Sequence, residues 1–546
     1  MYIINQLGEV NPQLLREIKG RFTTVNLGIV IGVSLVTQLF IYLLYQSYLP
    51  KNEGWNRYCQ TEYCFQDFHG KWAIITKLWW LDIFTAMSII GMIFLMVVGT
   101  YLLVADIANE AKKGTLDFIR LTPTQAKTIF LGKILGVPSL IYLGAMVALP
   151  LHWISGLQAG IPWYLLLTYY LVLLSGLFCF YSLAIAASLI MPKIGGFQPW
   201  LVAGLMLFFS VTFVMVIVNR YFHPVGDIGD WLVIFHPATV LHYLVKTTFL
   251  PPDTVKYLNL NNLAELQWYG KPLFSQTITG VSLILLNYAL WSYWAWQGIQ
   301  HRFNNPVSTV LTKYQSYWLS FSFIFVTLGF TLQHELWGEE IEHFTYLQIS
   351  NLVFCLILIA ILTPSTQVLK DWSRYRHREA NTRGNLLKDL FLGEKSPAIG
   401  AIAVNLGIMT LYILPCLFLF LDSSSRVAIF SGWLLNANLI LLLAVIYQLI
   451  LLWKSPKFPV WGTTVLSLLG VTIFPVIIFN VFGFSLTTYP WLWLFSITPI
   501  LATQHTIGMS IFFACLTQWL GITLLIGGIT YQLKKAGESE TKRLVG

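Results

Sequence analysis

Long apolar segments recur along the whole chain and are separated by shorter polar segments. A helix needs about 20 mainly apolar residues to cross the roughly 30 Å hydrocarbon core of a bilayer. In such a segment the helix satisfies its own backbone hydrogen bonds, which lipid cannot do. The pattern therefore predicts twelve membrane-spanning helices, at residues 25–49, 78–105, 134–155, 163–191, 200–219, 278–298, 316–333, 347–364, 398–421, 428–453, 461–483 and 507–533.

The segment before the first apolar run has the pattern of a short amphipathic helix. Asn11 can cap a helix, and Pro12 suits its first position. Leu14, Leu15 and Ile18 share one face, as in a helix that lies in the membrane interface. The alternative interpretation is a frayed cytoplasmic tail.

The basic residues are distributed unevenly between the two sides of this topology. With the N-terminus inside, the inside segments hold 24 of the 33 Lys and Arg residues. Positive charge collects on the cytoplasmic side, so we expect a multi-pass protein of the plasma (cytoplasmic) membrane with both termini cytoplasmic. The net charge of +9 then describes a face near anionic lipid and gives no reason to expect nucleic acid.

Composition supports the same class of protein. Hydrophobic residues make up 56% of the chain and charged residues only 10%, whereas soluble domains carry about 25% charged residues. The predicted fold is an all-α polytopic membrane protein of about twelve transmembrane helices with an N-terminal interfacial helix.

The twelve spans fall into two similar halves, residues 1–306 and 307–546. Each half has an aromatic segment interrupted by proline before its sixth span, at residues 231–237 and 491–499. Each also has its most basic inside loop between its second and third spans. Six spans per half give the halves the same orientation, which predicts two parallel six-helix halves. Chance similarity between aromatic loops is the alternative.

Two of the six cysteines lie in the first predicted outside loop, and the other four lie in spans. Cys59 and Cys64 are five residues apart on the oxidising side, so a disulfide can close a small loop there. The alternative is two free thiols.

The inside loop at residues 106–133 has the pattern of two breaks around one short helix. Gly114 can end the helix that continues from the second span, and Thr115 can cap a short helix over residues 116–121. Thr122 can cap the next helix, with Pro123 at its first position. The short helix would then lie flat at the cytoplasmic face.

This short helix carries apolar side chains that can bind a partner. Leu116, Phe118 and Ile119 are available to dock into a groove. On these residues alone, an ordinary amphipathic connector that rests on lipid is an equally good interpretation.

The same loop resembles the coupling-helix region of type-2 ABC permeases, the membrane subunits of many exporters. The residues that carry the resemblance are Glu110, Gly114-Thr115-Leu116-Asp117, Thr122-Pro123 and Gly132-Lys133, with Asp117 in place of the commoner Glu. The resemblance implies an ATP-driven export permease with both membrane halves fused in one chain. It also implies two separate ATP-binding cassette subunits as partners, and these would hold ATP and Mg²⁺.

The corresponding loop of the second half departs from this pattern. It keeps a short apolar helix and a Ser-Pro step but lacks the acidic-Gly-Thr-Leu signature. We expect a weaker second coupling contact, formed by Leu386, Leu387, Leu390, Ser396 and Pro397.

Other functions find less support in the sequence. No phosphate loop of the Gly-x4-Gly-Lys-Ser/Thr type occurs, so we expect no nucleotide cofactor in this chain. We also identify no catalytic residue and no metal ligand. The spans carry amides rather than central carboxylates or lysines, which argues against proton coupling. The amides either line a polar pathway or hydrogen-bond between helices. An ATP-independent channel, carrier or lipid scramblase, or a non-transporting scaffold, is the alternative function.

Overall fold

The computed structural model is helical throughout the part of the chain that it describes. It describes residues 9, 11–60, 63–66, 70–191, 195–218, 228–250, 255, 262–332, 340–378, 386–421, 423–452, 470 and 476–545. Within these residues, pairing between extended segments is limited to isolated bridges and no strand forms.

The chain divides into two compact units at Asn304 and Asn305. The short segments 226–229 and 267–271 are exceptions, because they belong to the second unit. The predicted boundary between residues 306 and 307 lies beside this division.

The first unit contains twelve α-helices among its described residues. In chain order they are α1 (Pro12–Arg21), α2 (Thr24–Ser47), α3 (Thr76–Lys113), α4 (Thr115–Arg120), α5 (Ala126–Gly136), α6 (Ser139–Gln158), α7 (Trp163–Ile190), α8 (Gln198–Val218), α9 (Ile228–Phe235), α10 (Leu241–Lys246), α11 (Asn262–Glu265) and α12 (Thr277–Asn304).

Helix α3 forms the core of the first unit. It is 38 residues long, or about 57 Å, which exceeds the roughly 30 Å hydrocarbon core. It packs against α2, α6, α7 and α8, and its Leu78, Phe84 and Met92 are fully buried. Helix α7 also packs against α12, and α2 packs against α6.

The aromatic segment before the sixth predicted span is a bent pair of short helices. α9 and the helical segment Pro237–Lys246, which includes α10, meet at 86°. Pro237 begins this second segment and has no N–H to continue the first helix. The bend fits the prediction of a broken segment in this part of the chain.

The second unit contains nine α-helices whose first and last residues are both described. They are α13 (Lys313–Thr331), α14 (Glu340–Leu362), α15 (Thr366–Arg378), α16 (Leu386–Leu392), α17 (Ile399–Phe420), α18 (Ser423–Leu452), α19 (Pro490–Trp493), α20 (Pro499–Thr503) and α21 (Gly508–Val545). Helix α18 packs against α14, α17, α20 and α21, and α13 packs against α17.

Nine helices in the described part of the chain are long and apolar enough to cross a membrane: α2, α3, α6, α7, α8, α14, α17, α18 and α21. They indicate a multi-pass α-helical membrane protein. The predicted spans 278–298 and 316–333 are helices, α12 and α13, but they are not among these nine long apolar helices. Most of the predicted span 461–483 lies outside the described residues, so twelve spans stay a prediction.

The third predicted span begins later than expected. Residues 134–136 end α5, and the spanning helix α6 starts at Ser139. Pro138 stands at the junction and lacks the N–H that a continuous helix needs.

The loop between α2 and α3 is tied down at two points. Cys59 and Cys64 form a disulfide with their Cα atoms 5.3 Å apart. Next to it, Arg57 donates to Asp82 at 3.1 Å, and the Tyr58 hydroxyl donates to the same carboxylate at 2.9 Å. Burial raises the pKa of Tyr58, and the Asp82 carboxylate raises it further.

Helices α12 and α10 approach closely because Gly280 of α12 has no side chain. A Cβ atom at Gly280 would lie 1.8 Å from the Tyr243 hydroxyl oxygen, which donates to the Phe274 carbonyl at 2.8 Å. We expect Gly280→Ala to lower the free energy of unfolding by about 1–3 kcal/mol through overpacking. Thermal unfolding in detergent, followed by tryptophan fluorescence, measures the loss.

Gly204→Ala on α8 is the matched control, because no described atom lies within 4 Å of its added Cβ. That change should preserve stability or raise it, since alanine favours a helix by about 0.5–1 kcal/mol over glycine. Adding Tyr243→Phe to Gly280→Ala should recover part of the loss. Equal unfolding temperatures for the two glycine variants would contradict the prediction.

Candidate coupling site

The end of the long helix α3 is set by Gly114. This residue has φ of 73° and ends α3, and its N–H donates to the Ala111 carbonyl. A side chain disfavours this left-handed conformation, whereas glycine adopts it freely. The chain turns here, as the sequence predicts. Helix α4 begins at Thr115 itself, with Gly114 at its N-cap position and no side-chain cap, so the prediction that Thr115 caps this helix is wrong.

Helix α4 has one buried face and one exposed face. Leu116 and Ile119 are buried within the chain itself. Phe118 and Leu121 are 72% and 85% exposed. The prediction that Leu116 and Ile119 are available to a partner is therefore wrong. Phe118 is available as predicted, and the exposed pair is Phe118 and Leu121.

The polar residues around α4 stabilise its position. Asp117 and Arg120 form an ion pair at 2.5 Å within the helix. The Thr115 hydroxyl donates to the Glu110 carbonyl at 3.2 Å, across the break at Gly114. The ion pair stabilises α4 internally, and the Thr115 bond holds α4 against the end of α3.

The turn after α4 differs from its prediction. The Thr122 hydroxyl donates to the Ile119 carbonyl at 2.7 Å. Helix α5 begins only at Ala126, so Thr122 does not cap it and Pro123 is not its first residue. The Thr122 hydroxyl closes the end of α4 and also lies 2.7 Å from the Thr124 hydroxyl.

A cluster of six charged residues lies behind α4. We call it the charge cluster: Arg16, Glu17 and Arg21 of α1, Asp106 and Glu110 of α3, and Lys133 of α5. The Lys133 ammonium is fully buried and lies 2.5 Å from Asp106, 2.8 Å from Glu110 and 3.8 Å from Glu17. The two arginines complete it, since Arg16 pairs with Glu110 and Arg21 lies 3.1 Å from Glu17 and 3.2 Å from Asp106.

The charge cluster balances three acidic against three basic side chains. Its carboxylates lie close enough together to hold a metal ion. The Lys133 ammonium is within hydrogen-bonding distance of two of them, so a lysine supplies the cation at this position. Because a buried charge without a partner is costly, the cluster holds α1, α3 and α5 together.

Two glycines allow α1 to reach the charge cluster. Helix α1 begins as predicted, with Asn11 accepting a hydrogen bond from the Leu14 N–H at 3.0 Å and Pro12 in its first turn. A Cβ at Gly132 would lie 2.7 Å from the Asn11 side-chain oxygen, and one at Gly136 would lie 2.5 Å from the Glu17 Cβ. Gly132 and Gly136 form a Gly-x-x-x-Gly spacing, which marks close helix packing and is the signal in the sequence for this contact.

The second predicted coupling loop exposes its short helix. In α16, Leu386 and Leu387 are exposed to solvent. The loop is held by Lys313 at the start of α13, whose ammonium donates to the Leu390 carbonyl at 2.7 Å, the Ser396 hydroxyl at 2.7 Å and the Pro397 carbonyl at 2.9 Å. Burial lowers the pKa of Lys313 to about 8, although Asp389 opposes that shift.

Two amides of the spans illustrate contacts between helices, whereas neither side-chain polar atom of Gln448 on α18 has a hydrogen-bond partner among the described residues. Asn405 of α17 accepts from Ser320 at 2.8 Å and donates to Ser316 at 3.0 Å, both on α13. Gln348 of α14 donates to the Gly432 carbonyl of α18 at 2.8 Å. These bonds fit the structural interpretation of the amides, and at these positions they leave no need for a polar pathway.

Comparisons with known proteins add nothing to this description: no family model, no curated protein and no solved structure matches the chain.

Removal of the central cation tests the charge cluster. Lys133→Met leaves two buried carboxylates, Glu17 and Glu110, and the half-buried Asp106 with only the two arginines, and breaking a buried pair costs about 3–5 kcal/mol. We expect a matching loss of unfolding free energy, measured by thermal and denaturant unfolding in detergent.

Lys112→Met at the end of α3 is the control, because Lys112 is exposed and its loss should cost little. Glu110→Gln combined with Lys133→Met should recover part of the loss, since it removes one of the carboxylates left without a cation. If Lys133→Met were as stable as Lys112→Met, the charge cluster would not hold this end of the unit together.

Proposed function

We propose that the chain is the membrane-spanning permease of an ATP-driven exporter of the type-2 ABC class. Two separate ATP-binding cassette subunits, which hold ATP and Mg²⁺, act on its cytoplasmic loops. The chain lies in the plasma membrane with both termini in the cytoplasm.

The exposed pair on α4 is the observation that supports this proposal most directly. Phe118 and Leu121 present a large apolar surface on a helix of only six residues. Apolar and aromatic side chains of this kind dominate the binding energy of protein interfaces. The two side chains lie just beyond the end of α3, on a loop that faces water in this topology. A partner that covers them explains their exposure.

The supports of α4 suit the transmission of force. Helix α4 follows α3 directly, through the tight turn at Gly114. The charge cluster joins the end of α3 to α1 and α5, so these helices move with α4 as one body. A push on the exposed pair then tilts α3, which packs against four other helices of the unit.

Helix packing within each unit supports the proposed two-fold repeat. In the first unit α7 packs against α3 and α12, and α2 packs against α6. In the second unit α18 packs against α14 and α21, and α13 packs against α17. Counted along the predicted spans, the fourth helix contacts the second and sixth in both units, and the first contacts the third.

The two coupling loops differ in their construction. The first is tied by ion pairs around a buried lysine of α5. In the second, the buried lysine Lys313 donates to neutral acceptors, and the ion pair between Arg376 and Asp389, at 3.7 Å, is partly exposed. We infer that the two ATP-binding subunits act unequally on the permease.

Replacement of the exposed pair tests the proposal. Purified in mild detergent from its native membranes, the chain should retain an ATP-binding cassette subunit and ATP hydrolysis. Phe118→Asp with Leu121→Asp should lower that retention by about 30-fold or more, since central apolar contacts contribute about 2 kcal/mol or more. Quantitative mass spectrometry and the ATPase rate measure it.

Phe249→Asp is the control, because Phe249 is another exposed apolar residue of the first unit, after α10. Both proteins should unfold at the wild-type temperature, since Leu116 and Ile119 remain in place. Retention of the ATPase without the exposed pair would remove α4 from the coupling contact. A wild-type chain that carries solute or lipid without any ATPase would favour a channel, carrier or scramblase, and one that carries nothing would favour a scaffold.

A further inference from the structure

A lateral groove lies within the first unit, between α5, α7 and α12. Its volume is about 680 Å³, within the roughly 300–1,000 Å³ of typical small-molecule sites. The groove lies apart from the exposed pair of α4, and neither the coupling mechanism nor the charge cluster uses it.

The groove is long and mostly apolar. Helix α12 lines it from Leu285 to Gln300 at intervals of three or four residues, a distance of about 22 Å. That is more than half of the roughly 30 Å hydrocarbon core. Leu174 and Phe178 of α7 form the facing wall, and Phe178 stacks on Trp296 with ring centres 5.9 Å apart.

One end of the groove is polar and positive. Lys127 of α5 and Gln300 of α12 line this end. Among the described residues, Lys127 is the only charged side chain on the groove wall, and it is exposed. An anionic group at this end would therefore contact the Lys127 ammonium, and no carboxylate among the described residues lines the groove beside it.

The surroundings of this end are also basic. Arg120 lies over the Phe303 ring at 5.4 Å from its centre, just beyond Gln300. Burial and the nearby charge of Arg120 lower the pKa of Arg302. Asp117 is paired with Arg120, and the carboxylates of the charge cluster surround Lys133.

We propose that the lateral groove binds an anionic phospholipid from the leaflet on the side of α4. An acyl chain lies between α7 and α12, and the lipid phosphate binds Lys127. A soluble anion would use only the polar end and leave the apolar length open to water. A neutral amphiphile would leave Lys127 without its counter-charge, so both parts of the groove together favour an anionic lipid.

The bound lipid would lie against α5, the helix that also carries Lys133. It would therefore support the helix that the charge cluster uses, whether or not the chain is a transporter. The inference stands apart from the proposed function for that reason.

Native mass spectrometry of the full chain in detergent tests the proposal. Phosphatidylglycerol and phosphatidylcholine with identical acyl chains are added at equal concentrations. We expect the wild type to retain phosphatidylglycerol preferentially, and Lys127→Gln to reduce that retention about tenfold, as for a lost charge-assisted hydrogen bond. Ala289→Trp, which fills the groove wall, should reduce retention of both lipids.

Two matched variants keep the test specific. Lys113→Gln removes an exposed lysine that does not line the groove, and Leu286→Trp adds the same bulk to α12 outside it. Neither should change retention. Equal retention of the two lipids by the wild type, or an equal effect of Lys113→Gln and Lys127→Gln, would overturn the proposal that the groove selects an anionic headgroup. If Ala289→Trp left lipid retention unchanged, the groove would not be the binding site.

Discussion

The buried ammonium of Lys133 is the constraint on which this end of the first unit depends. Three carboxylates balance its charge, and two of them belong to α3 while the third belongs to α1. Those acids in turn need the arginines of α1. Removal of any one of these charges leaves the cluster with an unbalanced charge. Three helices that are distant in the sequence are therefore held in one arrangement.

This arrangement gives a short helix a firm support. Helix α4 contributes only six residues, too few to be stable by itself. Its Leu116 and Ile119 are buried within the chain, and the charge cluster fixes the end of α3 from which it continues. For the proposed partner, Phe118 and Leu121 would then be presented on a rigid support, which would lower the entropic cost of binding.

The lateral groove and the charge cluster share helix α5 but use different faces of it. Lys133 points into a set of carboxylates, whereas Lys127 lies exposed at the groove. Six residues separate them, a spacing that is not a whole number of helical turns. The same helix can therefore contact protein charges on one side and a lipid on the other.

Local features of this chain were readable from its sequence, and contacts between distant segments were not. Nine of the predicted apolar runs are helices of spanning length in the described residues, and the Asn11 cap and the Gly114 turn are found where the pattern placed them; all of these depend on neighbouring residues. Which face of α4 is buried, and which acid Arg16 meets 94 residues away, depend on how helices pack. Periodicity shows that a helix has an apolar side but cannot say whether protein, lipid or a partner covers it. Only the tertiary structure decided that Leu116 belongs to the chain itself and that Lys133 has its counter-charges.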